Sequence, residues 1–267
     1  MTRYAAMFER CANAGEGALG AFVMLGDPDR GRCAAYLDAL VEGGADMVEL
    51  GIPFSDPVAD GPVIQAAGIR ALGAGVRTAD CLALAAAFRH RHPGIPVGIL
   101  TYANIVAARG IDRFAVELAE AGIDSLLIAD VPSIEAAPYA AATKAAGIDL
   151  VMIAAPNTPR SVLDRIAMLS SGYTYCVARA GVTGADQQLA LDHAALFAAL
   201  GEAGAPPPVL GFGIATPDHV AQAIASGAAG VISGSAIVRL IGEGRPPSEV
   251  AAFVTSLKQG TKRKPPR

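Results

Sequence analysis

Short apolar runs recur along the chain. They read Ala21–Leu25, Met47–Gly51, Val97–Thr101, Ser125–Ala129, Asp149–Ile153, Tyr173–Val177, Pro208–Gly211 and Gly230–Ser233. Each has strand length and is almost continuously apolar, the pattern of a strand buried on both faces. Between them lie alanine-rich stretches with helical spacing. Phe114, Leu118 and Ala121 fall at i, i+4 and i+7, and Val162, Ile166 and Leu169 follow the same period. Glycine often closes these stretches just before the next run, at Gly43-Gly44, Gly122, Gly147, Gly172 and Gly227. Such glycines predict left-handed C-caps followed by short loops. One further helical stretch precedes the first run, with Tyr4, Met7, Phe8 and Cys11 on one face.

Eight strands alternating with helices predict an α/β fold, a single (β/α)8 TIM barrel over residues 1–258. The extra N-terminal helix is expected to cover the barrel bottom. A doubly wound open sheet competes, but no G-x-G-x-x-G follows the first run. The gap between the second and third runs is the longest, which predicts an insertion in the loop there. Residues 259–267 are basic and are expected to form a flexible tail. Lys258, Lys262, Arg263, Lys264 and Arg267 together read as a solvated chain end.

Composition narrows the class of protein. The 267 residues are 52% apolar and 17% charged, which excludes a disordered chain. Lys and Arg total 21 against 25 Asp and Glu, a formal charge of −4, so the basic face of a nucleic-acid binder is not expected. No apolar run reaches the ~18–20 residues of a membrane span. Charges interrupt the N-terminal pattern, unlike a secretory signal. Cys11, Cys33, Cys81 and Cys176 are scattered and form no C-x-x-C. They fit a reducing cytoplasm rather than a disulfide framework or a zinc site.

In barrels of this kind the chemistry lies at the C-terminal ends of the strands. The second run continues as Glu49-Leu-Gly-Ile-Pro-Phe-Ser-Asp-Pro-Val-Ala-Asp-Gly-Pro62. Glu49 is a carboxylate within an otherwise apolar strand, facing away from Val48 and Leu50. It is either one half of a structural ion pair or a desolvated proton shuttle with a raised pKa. Asp56 and Asp60 follow in a loop stiffened by Pro53, Pro57 and Pro62; an ordinary polar turn competes with a positioned carboxylate. Glycine-rich segments follow the last three runs: Arg179–Gly184, Gly211–Pro217 and Ser233–Ala236. Ser235 can cap a short helix aimed at the mouth. Three converging turns of this type suit a phosphate.

The four lysines (Lys144, Lys258, Lys262, Lys264) avoid the strand ends, which argues against Schiff-base chemistry and pyridoxal attachment. The four histidines (His90, His92, His193, His219) show no metal-ligand clustering and read as surface or capping residues. What remains is a site of carboxylates, hydroxyls and backbone N–H groups. It points to proton transfer on a small phosphorylated molecule.

The block Glu49–Pro62 closely resembles the sequence characteristic of the tryptophan synthase alpha chain family. So do Leu100–Asn104, Ala129–Pro132, Arg179–Gly184, Gly211–Ile214 and Ile232–Ala236, in the family's order and across nearly the whole chain. Ala178 stands where a serine is common. The resemblance implies a lyase of L-tryptophan biosynthesis that cleaves indole-3-glycerol phosphate into indole and glyceraldehyde 3-phosphate by a retro-aldol step. Glu49 resembles the family's acid–base, and Asp60 the carboxylate that takes the indole N–H. Phe22, Leu100, Tyr102, Leu127, Tyr175 and Phe212 would wall the indole. Gly184, Gly213, Gly234 and Ser235 would hold the phosphate, and Thr183 would order the loop above it. The resemblance further implies no cofactor on this chain. It implies a partner beta chain carrying pyridoxal phosphate, in a heterotetramer of two alpha and two beta chains, met through Pro53, Asp56 and Pro57. A self-sufficient lyase releasing free indole is the alternative.

Overall fold

The computed structural model describes residues 1–177 and 193–263. Among the described residues eight strands close into a barrel in chain order: β1 (Ala18–Met24), β2 (Met47–Gly51), β3 (Val97–Thr101), β4 (Ser125–Ile128), β5 (Asp149–Ala154), β6 (Thr174–Val177), β7 (Pro208–Gly211) and β8 (Gly230–Ser233). Each pairs in parallel with its neighbours, and β1 pairs with β8 to complete the ring. The chain therefore forms the expected (β/α)8 barrel. The strands match the apolar runs, because backbone buried on both faces needs apolar side chains on both.

The helices are α1 (Arg3–Asn13), α2 (Arg30–Glu42), α3 (Pro62–Gly73), α4 (Thr78–Arg91), α5 (Ala103–Arg109), α6 (Ile111–Glu120), α7 (Ala137–Ala146), α8 (Arg160–Leu169), α9 (Ala194–Glu202), α10 (Pro217–Ala225), α11 (Ser235–Gly242) and α12 (Pro247–Gln259). Gly44, Gly122, Gly147, Gly172 and Gly227 all adopt positive φ between helix and strand. Glycine does so without the Cβ clash that would strain other residues. No single helix is long and apolar enough to cross a membrane.

The helix α1 closes the bottom of the barrel. Its N-cap Thr2 accepts the Ala5 N–H, and Tyr4, Met7 and Cys11 are buried. The Tyr4 hydroxyl reaches Ser125 Oγ at 2.8 Å inside the barrel. Outside, Asp124 accepts from Arg3 and Arg89 side chains and from the Val97 N–H. A largely buried carboxylate held by several donors is stabilised in place.

Three expectations need revision. The long gap after β2 is mostly not loop: α3 and α4 both occupy it, and α3 is the added element. Its Arg70 forks onto the buried Asp27 through two bonds of 2.7 Å, which pins α3 to the end of β1. The basic chain end is not wholly solvated. Lys258 is half-buried between Asp46 and Glu16, at 2.7 and 2.9 Å. Beyond it Thr261 is buried and accepts the Gly17 N–H, while the Arg263 N–H bonds the Gly15 carbonyl. These bonds tie the stretch through Arg263 onto the β1 entry. Finally, His193 takes the N-cap position of α9 but is buried against Phe197 rather than on the surface.

Candidate active site

At the C-terminal ends of the strands, Phe22, Glu49, Asp60, Leu100, Tyr175, Phe212, Gly213, Gly234 and Ser235 line one cavity of about 320 Å³. That is the size of a small-molecule site. Register brings the acid there: Phe22 on β1 neighbours Glu49 on β2, which neighbours Gly98 on β3. Gly98 lacks a side chain where Ser125 Oγ and the Tyr4 hydroxyl crowd in, at 2.8 and 3.1 Å from a Cβ built there. The space beneath Glu49 is thereby filled with tyrosine rather than a third strand residue.

Glu49 is buried and makes no ion pair among the described residues. The Tyr173 hydroxyl donates to its Oε1 at 3.0 Å, and Oε2 has no hydrogen-bond partner among the described residues. Desolvation raises its pKa to about 8, against the smaller lowering by Tyr173. Ionising a carboxyl in such surroundings is unfavourable, so the group holds its proton near neutrality. Among the described residues no cation pairs with it, which favours the desolvated-acid reading over the structural ion pair.

Asp60 lines the same cavity, and burial raises its pKa to about 6. Its N–H bonds the Pro57 carbonyl, its own carbonyl accepts from Gln65, and the Tyr102 hydroxyl bonds its carboxylate. Tyr102 also accepts the Ala59 N–H at 3.3 Å and stacks on Phe54. It thus braces the Asp60 loop from behind and does not line the cavity. Leu127 likewise lies outside the lining, packed beside Leu100 and Val151 in the strand register.

The turns after β7 and β8 also line the cavity. Phe212 and Gly213 take consecutive positive φ values of 70° and 75°. A non-glycine residue in that region is strained, and such strain collects at functional sites. Phe212 meets Tyr175 edge to face at 5.9 Å. Gly234, not Ser235, occupies the N-cap of α11, which leaves the Ser235 and Ala236 N–H groups in the first turn beside the cavity. The first N–H groups of a helix lack intrahelical partners and carry partial positive charge. Thr183 and Gly184 lie outside the described residues, as do Arg179 and Ala178.

Sequence reasoning missed Tyr173, Thr216, His219 and Arg239. Tyr173 and Tyr175 alternate, so their rings share the inward face, and that period was a usable signal. His219 and Arg239 follow Thr216 and Ser235 by three and four residues, the helical spacing of one face. The site is therefore not confined to carboxylates, hydroxyls and backbone. Pro53, Asp56 and Pro57 lie on the loop that leads to Asp60, and its Val58 is largely exposed. No group of three or more metal-ligating side chains occurs among the described residues.

A buried acid with a raised pKa and a second carboxylate, lining one cavity with the glycine turns and the first turn of α11, define a (β/α)8-barrel site suited to proton transfer. Comparison with known proteins assigns the family. A model of the tryptophan synthase alpha chain family matches residues 8–264. The tryptophan synthase alpha chain of Klebsiella pneumoniae strain 342 is 49% identical, covering 98% of this chain and 99% of its own. That of Shewanella amazonensis is 52% identical, covering 90% and 91%. Among solved structures, Mycobacterium tuberculosis tryptophan synthase superposes with a TM-score of 0.89 at 33% identity, covering 98% of both chains. The Legionella pneumophila alpha chain gives 0.86 at 30%, covering 98% of this chain and 97% of that one. The chain belongs to the tryptophan synthase alpha chain family.

Proposed function

We propose that this cavity performs the family's reaction, cleavage of indole-3-glycerol phosphate to indole and glyceraldehyde 3-phosphate, with Glu49 and Asp60 as its catalytic residues. The observation that carries the reading is Glu49: a buried acid with no ion-pair partner among the described residues, pKa raised to about 8, on the wall of the cavity that Gly213 and Gly234 also line. Retro-aldol cleavage breaks the bond between indole C3 and the side chain. C3 gains a proton, and the adjacent side-chain hydroxyl loses one as it becomes a carbonyl. A carboxyl poised near neutrality can give the first and take the second, so the proton count closes on Glu49. Such a group typically supplies roughly 10²–10⁴-fold.

Protonation at C3 places positive charge on the indole ring. Asp60 accepts the ring N–H and stabilises that charge; opposite charge fixed in a water-poor site is often the largest catalytic contribution. Phe22, Leu100, Tyr175 and Phe212 enclose the ring, with Tyr102 and Leu127 supporting them. Gly213, Gly234 and Ser235 take the phosphate, joined by Gly184, and Thr183 orders the loop above.

The chain works with a beta chain that carries pyridoxal phosphate, in a heterotetramer of two alpha and two beta chains. Pro53, Asp56 and Pro57 face that partner; the exposed Val58 directly after them supports this. Four unpaired, buried thiols suit the cytoplasm as its location. The self-sufficient lyase has no observation in its favour. The deciding experiment incubates the purified chain with indole-3-glycerol phosphate, with and without a beta chain, and assays indole. Weak release that rises steeply with the beta chain is expected. No release in either condition would overturn the reading.

A further inference from the structure

His219 and Arg239 line the cavity but have no part in the acid–base step. They lie on the two helices that follow the glycine turns. His219 is the third residue of α10, and its N–H bonds the Thr216 cap at 3.2 Å. Its ring folds back so that Nδ1 accepts the Ala215 N–H at 3.4 Å. A ring nitrogen that accepts cannot carry the proton, so the neutral ring holds it on Nε2. The Nε2–H is a donor with no partner among the described residues.

Arg239 lies one turn beyond Ser235 on the same face of α11. Arg3, Arg10, Arg30, Arg70, Arg89 and Arg91 each hold a carboxylate. Arg239 holds none among the described residues. Glu243, one turn further, pairs with Arg245 instead. Among the described residues Arg239 is the one permanent cation lining the cavity.

We propose that Arg239 and His219 select for a phosphorylated substrate: the Arg239 guanidinium supplies charge to the phosphate, and the His219 Nε2–H supplies one directed hydrogen bond. This rests on the proposed function. A phosphate monoester carries about −1.5 to −2 near pH 7. Backbone N–H groups and a helix end offset only part of that. A guanidinium adds full charge and a fork that fits two phosphate oxygens.

The test measures binding of glycerol 3-phosphate and of indole to the full chain by calorimetry, and cleavage kinetics with a beta chain present. Arg239→Gln should weaken glycerol 3-phosphate binding about tenfold, the scale of one charged hydrogen bond. KM for indole-3-glycerol phosphate should rise in step, with kcat changed far less. His219→Phe should cost roughly threefold in the same two quantities. Indole affinity should not move, and Arg239→Lys and His219→Gln should recover part of each loss. Arg113→Gln, which removes the same charge from an exposed site on α6, should have no effect. Glycerol 3-phosphate affinity within twofold of wild type in both variants overturns the inference, as does equal weakening of indole or an equal effect of Arg113→Gln. Failure of the unmodified chain to cleave the substrate would instead overturn the functional reading, while phosphate affinity still decides the roles of Arg239 and His219.

Discussion

Glu49 ionises against its surroundings, and that has a measurable consequence for stability. The fold keeps its proton up to about pH 8, whereas the unfolded chain releases it near the ordinary glutamate value of 4.5. Between those values the folded state binds more protons than the unfolded one, so this residue lowers stability as pH rises. Glutamine has the same shape and no proton to lose. Glu49→Gln should therefore melt close to wild type at pH 5 and above it at pH 8, as followed by circular dichroism across pH. A difference that does not change with pH would mean that Glu49 ionises normally in the fold. The same variant should lose about 10²–10⁴-fold in indole release, and near-normal turnover would remove Glu49 from the mechanism.

At the scale of elements, two contacts hold the walls of the cavity. Arg70 on α3 forks onto Asp27, whose side chain is 1% exposed at the end of β1. Arg70→Ala would leave that carboxylate buried and unpaired. The expected loss is about 2–3 kcal/mol by urea denaturation, less than for a fully buried pair because Arg70 is itself 32% exposed. A loss under about 0.5 kcal/mol would show that Asp27 finds other partners. On β7, Gly211 leaves room for Tyr175: a Cβ there would collide with the Tyr175 ring and hydroxyl. Gly211→Ala should displace Tyr175 from the cavity, costing about 1–3 kcal/mol as overpacking and raising KM for the indolyl substrate. Unchanged kinetics would mean that the ring relaxes elsewhere.

At the scale of the whole molecule, the closed ring gathers residues from six strand ends at one mouth and leaves the opposite end to α1 and the Lys258 contacts. The loop after β2 projects from that mouth with Val58 at 72% exposure. Val58→Asp should weaken assembly with a beta chain by at least about tenfold, as a charge placed in an apolar contact does. Sedimentation of mixed chains reads this directly, and undiminished assembly would place the partner elsewhere.

The eight strands were legible in the sequence because a strand covered on both faces must be apolar along its length. Glu49 and Asp60 were legible as carboxylates in an apolar, proline-stiffened setting, and the glycine turns as places where backbone can approach an anion. Whether Glu49 served an ion pair or a proton transfer was not legible, because that depends on which groups lie across the barrel. Only tertiary structure bears on it, setting the Tyr173 hydroxyl against one oxygen and, among the described residues, no partner against the other. The same holds for Tyr102, which braces Asp60 from outside the cavity, and for Arg239 and His219, which helix rotation carries to its rim. Local pattern fixes an element and its buried face; the partners of a side chain follow from ring closure, which joins residues far apart in the chain.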